Sequence, residues 1–188
     1  MKKLHSLILL LAIFAYSCSY DTLPEIPKPI HYEKNPEPEP PVVIPEPVLA
    51  SEVYKISLTD GLITGIKQFP VNAENFQKNF AVTDGTIKVF AADGSDLTGN
   101  VGTGTVVKLY NTEGEEKASY TVIIYGDANG DGIVNAKDLL TIQKNNIQVS
   151  ALSGVYLTAA DVTRDGKVNA KDLLLVQKNN IKASTIEQ

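Results

Sequence analysis

Tryptophan is absent from this 188-residue chain, and cysteine and methionine occur once each, as Cys18 and Met1. The two histidines, His5 and His31, both precede residue 51. Residues 51–188 therefore offer no imidazole or thiol for acid–base or nucleophilic chemistry, and no soft ligand for zinc or copper. The missing methionines also argue against the Met-rich groove of a calcium sensor. There is no excess of positive charge: 17 Lys and Arg stand against 22 Asp and Glu, a net charge of −5. That balance argues against nucleic acid or another polyanion as partner. No apolar run beyond the N-terminus is long enough to span a bilayer. Proline is nearly missing after residue 47, since nine of the ten lie within Pro24–Pro47.

The N-terminal residues read as an export signal. Lys2 and Lys3 precede the apolar run Leu7–Ala15, and Ala15-Tyr16-Ser17 supplies small residues for cleavage. With Cys18 immediately after, the stretch resembles a bacterial lipobox, although that pattern prefers Leu where Ala15 stands and a small residue at Tyr16. The expected division is a signal peptide over 1–17 and a lipidated Cys18 holding a secreted protein to the membrane at the cell surface. A Pro-rich disordered linker follows over 18–50. Polyproline II geometry, at ~3.1 Å per residue, lets Pro24–Pro47 reach on the order of 70 Å.

Residues 51–125 read as a β-rich, sandwich-like module. Tyr54, Ile56 and Leu58 alternate with polar neighbours, and strands are expected over Thr86–Ala92, Thr105–Tyr110 and Lys117–Tyr125. Asp60-Gly61, Asp84-Gly85, Asp93-Gly94 and Glu113-Gly114 supply the turns. Asn72 is placed to cap a short helix over Ala73–Phe80, with Phe76 and Phe80 on one face. The acids, among them Asp60, Asp84, Asp93 and Asp96, fall mostly in turns. A module of this size without a cleft-forming insertion is a poor frame for the paired carboxylates of a glycosidase. Tyr54, Tyr110, Tyr120 and Tyr125 are expected to serve sheet packing before sugar stacking.

The strongest signal is a 12-residue loop written twice, Asp127–Asp138 and Asp161–Asp172. Each copy runs into a helix ending in Gln-Lys-Asn-Asn-Ile, and 15 of 21 aligned positions are identical. One supersecondary unit has been duplicated. Oxygen-bearing side chains recur at loop positions 1, 3, 5, 9 and 12: Asp127, Asn129, Asp131, Asn135 and Asp138, then Asp161, Thr163, Asp165, Asn169 and Asp172. Position 7 contributes a backbone carbonyl, so Ile133 and Lys167 are both acceptable there. The glycine at position 6 allows the sharp turn. Hard oxygen ligands in this number favour Ca2+, with two sites, over magnesium. Thr163, a hydroxyl where Asn or Asp is usual, makes the second site the weaker one. Leu139, Leu140, Ile142 and Ile147, repeated as Leu173, Leu174, Val176 and Ile181, form an apolar stripe expected to face the core. Val149–Ala160, with Leu157, is expected to form a helix that covers it.

No helix precedes the first loop, because Tyr120–Tyr125 reads as a strand entering it directly. A duplicated loop-helix unit lacking the entering helix resembles a type I dockerin, over about 126–182, with 183–188 as a tail. The resemblance rests on the run Gly126-Asp127-Ala128-Asn129-Gly130-Asp131-Gly132 through Asn135-Ala136-Lys137-Asp138-Leu139-Leu140. The β module is similar to one that precedes dockerins in clostridial surface proteins, through Gly102-Thr103-Gly104-Thr105 and Tyr120–Asp127. The resemblance implies an α-helical dockerin of two calcium loop-helix repeats after the all-β module. It implies as partner a cohesin module of a scaffoldin or surface protein. The partner-choosing positions then fall on Ala136, Lys137, Gln143 and Lys144, with Ala170, Lys171, Gln177 and Lys178 in the second copy. The Ala-Lys pair departs from the Ser-Thr of the best-known members. The function expected is a non-catalytic docking protein anchoring a cellulosome-like polysaccharide-degrading assembly. The alternative is a carbohydrate-binding or accessory subunit of polysaccharide degradation, its module over 51–125 brought to an assembly by the dockerin. In the docking reading, plant polysaccharide is met only indirectly, through that assembly. The direct join at Tyr125-Gly126-Asp127 predicts a semi-rigid pair of modules.

Overall fold

A hairpin closed at Asp60-Gly61 shows how local chemistry starts the β module. The Ser57 hydroxyl donates to Asp60 Oδ2 at 2.7 Å and accepts from Asp60 N at 3.3 Å. Gly61 takes a φ of +64° that a larger residue would resist. The computed structural model describes residues 43–188 except Gln68. The segment expected to be an export signal, Cys18 and most of the Pro-rich segment lie outside the described residues.

The strands are β1 (Val48–Ala50), β2 (Lys55–Ser57), β3 (Leu62–Thr64), β4 (Ala81–Thr83), β5 (Gly85–Phe90), β6 (Val106–Asn111) and β7 (Glu116–Val122). The helices are α1 (Ala73–Gln77), α2 (Ala136–Asn146), α3 (Gly154–Ala160) and α4 (Ala170–Asn180). β1 and β4 form a two-stranded antiparallel sheet, and the other five strands run in the order β2-β3-β7-β6-β5. That sheet is mixed, with β3 parallel to β7 through Leu62↔Thr121 and Ile63↔Val122. The β6–β7 hairpin is held by Asn111 Oδ1, which accepts from Glu113 N and Glu115 N, while Gly114 turns at φ +84°. A β module followed by helices is the architecture expected.

Alternation decides which faces are buried. Val107, Leu109, Tyr120 and Val122 turn inward from β6 and β7, and Ile63 and Val101 meet them. Asn72 Oδ1 accepts from Asn75 N at 2.9 Å and starts α1 as anticipated. Phe76 is then fully buried, its ring 4.9 Å from that of Tyr54 and 5.0 Å from that of Phe80. Such aromatic contacts add ~1 kcal/mol beyond their buried area.

Several expectations need correction. The ordered sheet begins at Val48, inside the segment read as linker. Tyr54 precedes β2 and joins the aromatic cluster, while Leu58 is 74% exposed beyond its end. Strand β7 ends at Val122 rather than Tyr125. The connecting helix is Gly154–Ala160, shorter than expected, and it buries Ala159 and Ala160 whereas Leu157 and Val149 stay exposed. Of the apolar stripe on α2 and α4, Ile142 and Val176 are fully buried and Leu139 and Leu173 partly so. Leu140, Ile147, Leu174 and Ile181 face solvent.

The sheet delivers the chain to the first loop without slack. Ile123 N donates to Ile63 O at 2.9 Å, and Ile123 and Ile124 are buried. Gly126 turns at φ +95°, where a Cβ would stand 2.8 Å from Ile186 Cδ1. Its N–H donates to Ala159 O at 2.8 Å. Tyr125 is held on both sides: its N–H donates to Gln188 Oε1, its carbonyl accepts from Gln188 Nε2, and the Arg164 guanidinium lies 4.1 Å from its ring centroid.

Candidate metal centre

The first loop is a chain of short side-chain-to-backbone hydrogen bonds. Asn129 Oδ1 accepts from Asp131 N at 2.8 Å, and Asp131 Oδ1 accepts from Ile133 N at 3.0 Å. Each such Asx turn lets the next side chain point inward. Asn135 Oδ1 caps α2 by accepting from Lys137 N at 2.8 Å, and Asn135 Nδ2 donates to the Ile133 carbonyl at 3.1 Å. Asp138, in the first turn of α2, reaches back to accept from Asn135 N at 2.8 Å and Asn129 N at 3.1 Å. Helix start and loop closure are thus one capping arrangement.

The result is a gathering of negative charge. Oxygens of Asp127, Asp131 and Asp138 all lie within 4.8 Å of one another. Asp127 and Asp138 are fully buried. Burial pushes the Asp127 carboxyl above the ordinary carboxylate range, against the N–H groups of Thr103, Gly132 and Gly130 that favour its charged form. Burial likewise raises Asp138 to about 6, with the charges of Asp127 and Asp131 adding to the effect. Carboxylates so placed repel one another unless a proton or a cation intervenes.

The second loop repeats the scheme with less convergence. Asp172 accepts from Asn169 N and Thr163 N, both at 2.9 Å, and Asn169 Oδ1 accepts from Lys171 N at 2.9 Å. The Lys167 carbonyl accepts from Asn169 Nδ2. The Thr163 hydroxyl lies 2.9 Å from Asp172 Oδ1 and 3.3 Å from Asp161 Oδ1, so it serves those carboxylates as a donor. Asp165 is exposed, and among the described residues the three acids of this loop do not form a cluster like that of the first.

Residues 125–179 match the family model of the dockerin type I domain. This segment is a type I dockerin domain. No curated protein matches the chain. Type I dockerins bind calcium through EF-hand-like repeats, and the first loop fits that ion: a confined set of oxygen donors carries charge that burial and mutual repulsion leave uncompensated. The eight positions expected to choose the partner all lie on the exposed sides of α2, α4 and their first turns. Lys137 Nζ sits 3.5 Å from Asp131 Oδ2, and Lys171 Nζ 3.9 Å from Asp165 Oδ2. Both lysines are 76% exposed, so these pairs add little to stability. One contributor escaped the sequence reading: Thr103, whose backbone N–H reaches Asp127 from the β module. Its signal was the run Gly102-Thr103-Gly104-Thr105, read only as part of a resemblance.

Two outcomes follow from these geometries. The Asp138 pKa is raised in the folded, metal-free protein, so its carboxyl favours folding at low pH and loses that contribution as pH rises through about 6. Calcium needs the carboxylate. Calorimetric titration in buffers of different ionisation enthalpy is therefore expected to show proton release at about pH 5.5 and little at about pH 7.5. Calcium is expected to fill the first loop roughly tenfold more tightly than the second, read separately from the Gly132 and Gly166 amide resonances.

Proposed function

We propose that this chain is a non-catalytic, exported docking protein whose dockerin binds the cohesin module of a scaffoldin or surface protein. Dockerins dock onto cohesins. The finer reading is that this contact attaches or anchors a cellulosome-like polysaccharide-degrading assembly at the cell surface. A dockerin is not itself catalytic, and the β module offers no imidazole or thiol. Calcium at both loops sets the two helix starts, Asn135-Ala136 and Asn169-Ala170, and so shapes the docking faces.

The observation that carries this reading is a face written twice. Ala136, Lys137, Gln143 and Lys144 are exposed on α2, and Ala170, Lys171, Gln177 and Lys178 on α4. Leu140 (50% exposed) and Ile147 (63%) lie with the first set, and Leu174 (48%) and Ile181 (71%) with the second. Apolar side chains ringed by lysines and amides suit an interface with a dry centre and a polar rim. Because the two faces carry the same residues, either one can engage the cohesin, in two orientations of the domain. Lipidation of Cys18 and the Pro-rich stalk would fix the assembly at a distance from the membrane.

Pull-down of a cohesin from host surface extract is expected to succeed in calcium and fail in EGTA. Replacing Ala136 and Lys137, or Ala170 and Lys171, is expected to leave binding, while replacing all four weakens it by about 100-fold or more. Loss of binding in either pair alone contradicts the two-orientation reading. The intact mass of the mature chain tests the anchor, with Cys18 expected as an N-terminus carrying two or three acyl chains.

A further inference from the structure

We propose that the first calcium site is built across the module boundary: the β-module turn Val101–Gly104 is its outer wall, and Thr103 is a positioning residue for Asp127. The calcium assignment is the premise, and cohesin binding is not.

The direct link is a hydrogen bond. Thr103 N donates to Asp127 Oδ2 at 2.8 Å, alongside Gly132 N at 3.2 Å, while Gly130 N donates to Oδ1 at 2.9 Å. In the second loop, Asp161 accepts from Asp165 N at 3.1 Å, Gly166 N at 2.7 Å and the Thr163 hydroxyl at 3.3 Å. All three belong to its own loop. The duplication thus provides an internal comparison: the same residue at position 1 has an external donor in one copy and none among the described residues in the other.

Backbone packing repeats the contrast. A Cβ on Gly102 would collide with Gly130 O and stand 2.6 Å from Gly132 N. On Gly130 it would meet Thr103 O at 2.7 Å, and on Gly132 it would meet Val101 O at 2.5 Å. Two strips of main chain lie against each other with no room for side chains. At the matching places of the second loop stand Arg164, at φ +58°, and Gly166, where an added Cβ meets nothing within 4 Å. One loop is walled by the β module, and its copy is open.

The wall is itself fixed. Thr103 Oγ1 bridges the backbone of Ile124, 3.1 Å from its N and 3.2 Å from its O. Gly102 N donates to Thr105 Oγ1 at 3.1 Å, Gly104 N to Val122 O at 2.9 Å, and Val101 N to Val71 O at 2.7 Å. A donor on so constrained a turn holds the first ligand in place before the ion arrives. Partners that orient a metal ligand in this way are typically worth about 10- to 100-fold in metal affinity. By reciprocity, calcium in the first loop must tighten the hold of the β module on that loop.

The test uses the whole chain. Gly102 has no left-handed φ, so Gly102→Ala is tolerated by its own backbone and acts through the collision with Gly130 and Gly132. In a calcium titration followed by the Gly132 and Gly166 amide resonances, G102A is expected to weaken the first site by about 10- to 100-fold. The second site is expected to change by less than about twofold. No change at the first site, or equal loss at both, overturns the inference. Amide exchange in the unmodified chain supplies a second reading should G102A not fold. Calcium is expected to slow exchange at Thr103 N by about tenfold or more, and exchange indifferent to calcium overturns the inference. An unmodified chain that binds no calcium overturns this inference and the metal assignment together.

Discussion

Mutual repulsion among three carboxylates is the constraint around which the C-terminal third is arranged. Asp127, Asp131 and Asp138 are brought within 4.8 Å, and the loop answers with backbone N–H groups aimed at their oxygens. Those dipoles reduce the cost of the charge without removing it, which is why burial still dominates at Asp138. A divalent cation completes the neutralisation. Because Asp138 also closes the cap of α2, the balance of charge and the start of a helix are one event. The same arrangement recurs at Asp172 and α4.

That coupling extends into the β module. Val122, Ile123 and Ile124 are buried on the way to the loop, and Thr103 ties back to Ile124 before reaching Asp127. The buried side chains of sheet and helices form one cluster, from Ile63 and Val107 to Ile142 and Val176. The expected semi-rigid pairing of the modules therefore has a physical source in shared apolar burial and a bend with no spare residue. Small modules gain from such sharing, since neither alone encloses much core.

Legibility from sequence followed how local each interaction is. Asn129, Asp131, the glycine at position 6 and the Asn72 cap could be read because each bonds or turns within a few residues of itself. The three-residue strands β1, β3 and β4 were missed because three residues carry no detectable alternation, and their pairing depends on distant partners such as β7. Leu140, Ile147, Leu174 and Ile181 match a core stripe by spacing alone, yet helical periodicity says nothing of what packs against that side. Thr103 lies 24 residues from Asp127 and contributes its main chain, so its side-chain identity could not announce the role. The open second loop was partly legible in Thr163. Its other mark, Arg164 in place of Gly130, gains meaning only once the Tyr125 ring and the Glu187 carbonyl are seen beside it.

The repeated helix face has a statistical consequence. When either of two equivalent faces suffices, a cohesin finds twice as many productive ways to land, a gain in association entropy of about 0.4 kcal/mol. The greater effect is geometric. A domain that can be gripped from opposite senses gives its partner a choice of pose at the joint itself, leaving the joint stiff in each pose.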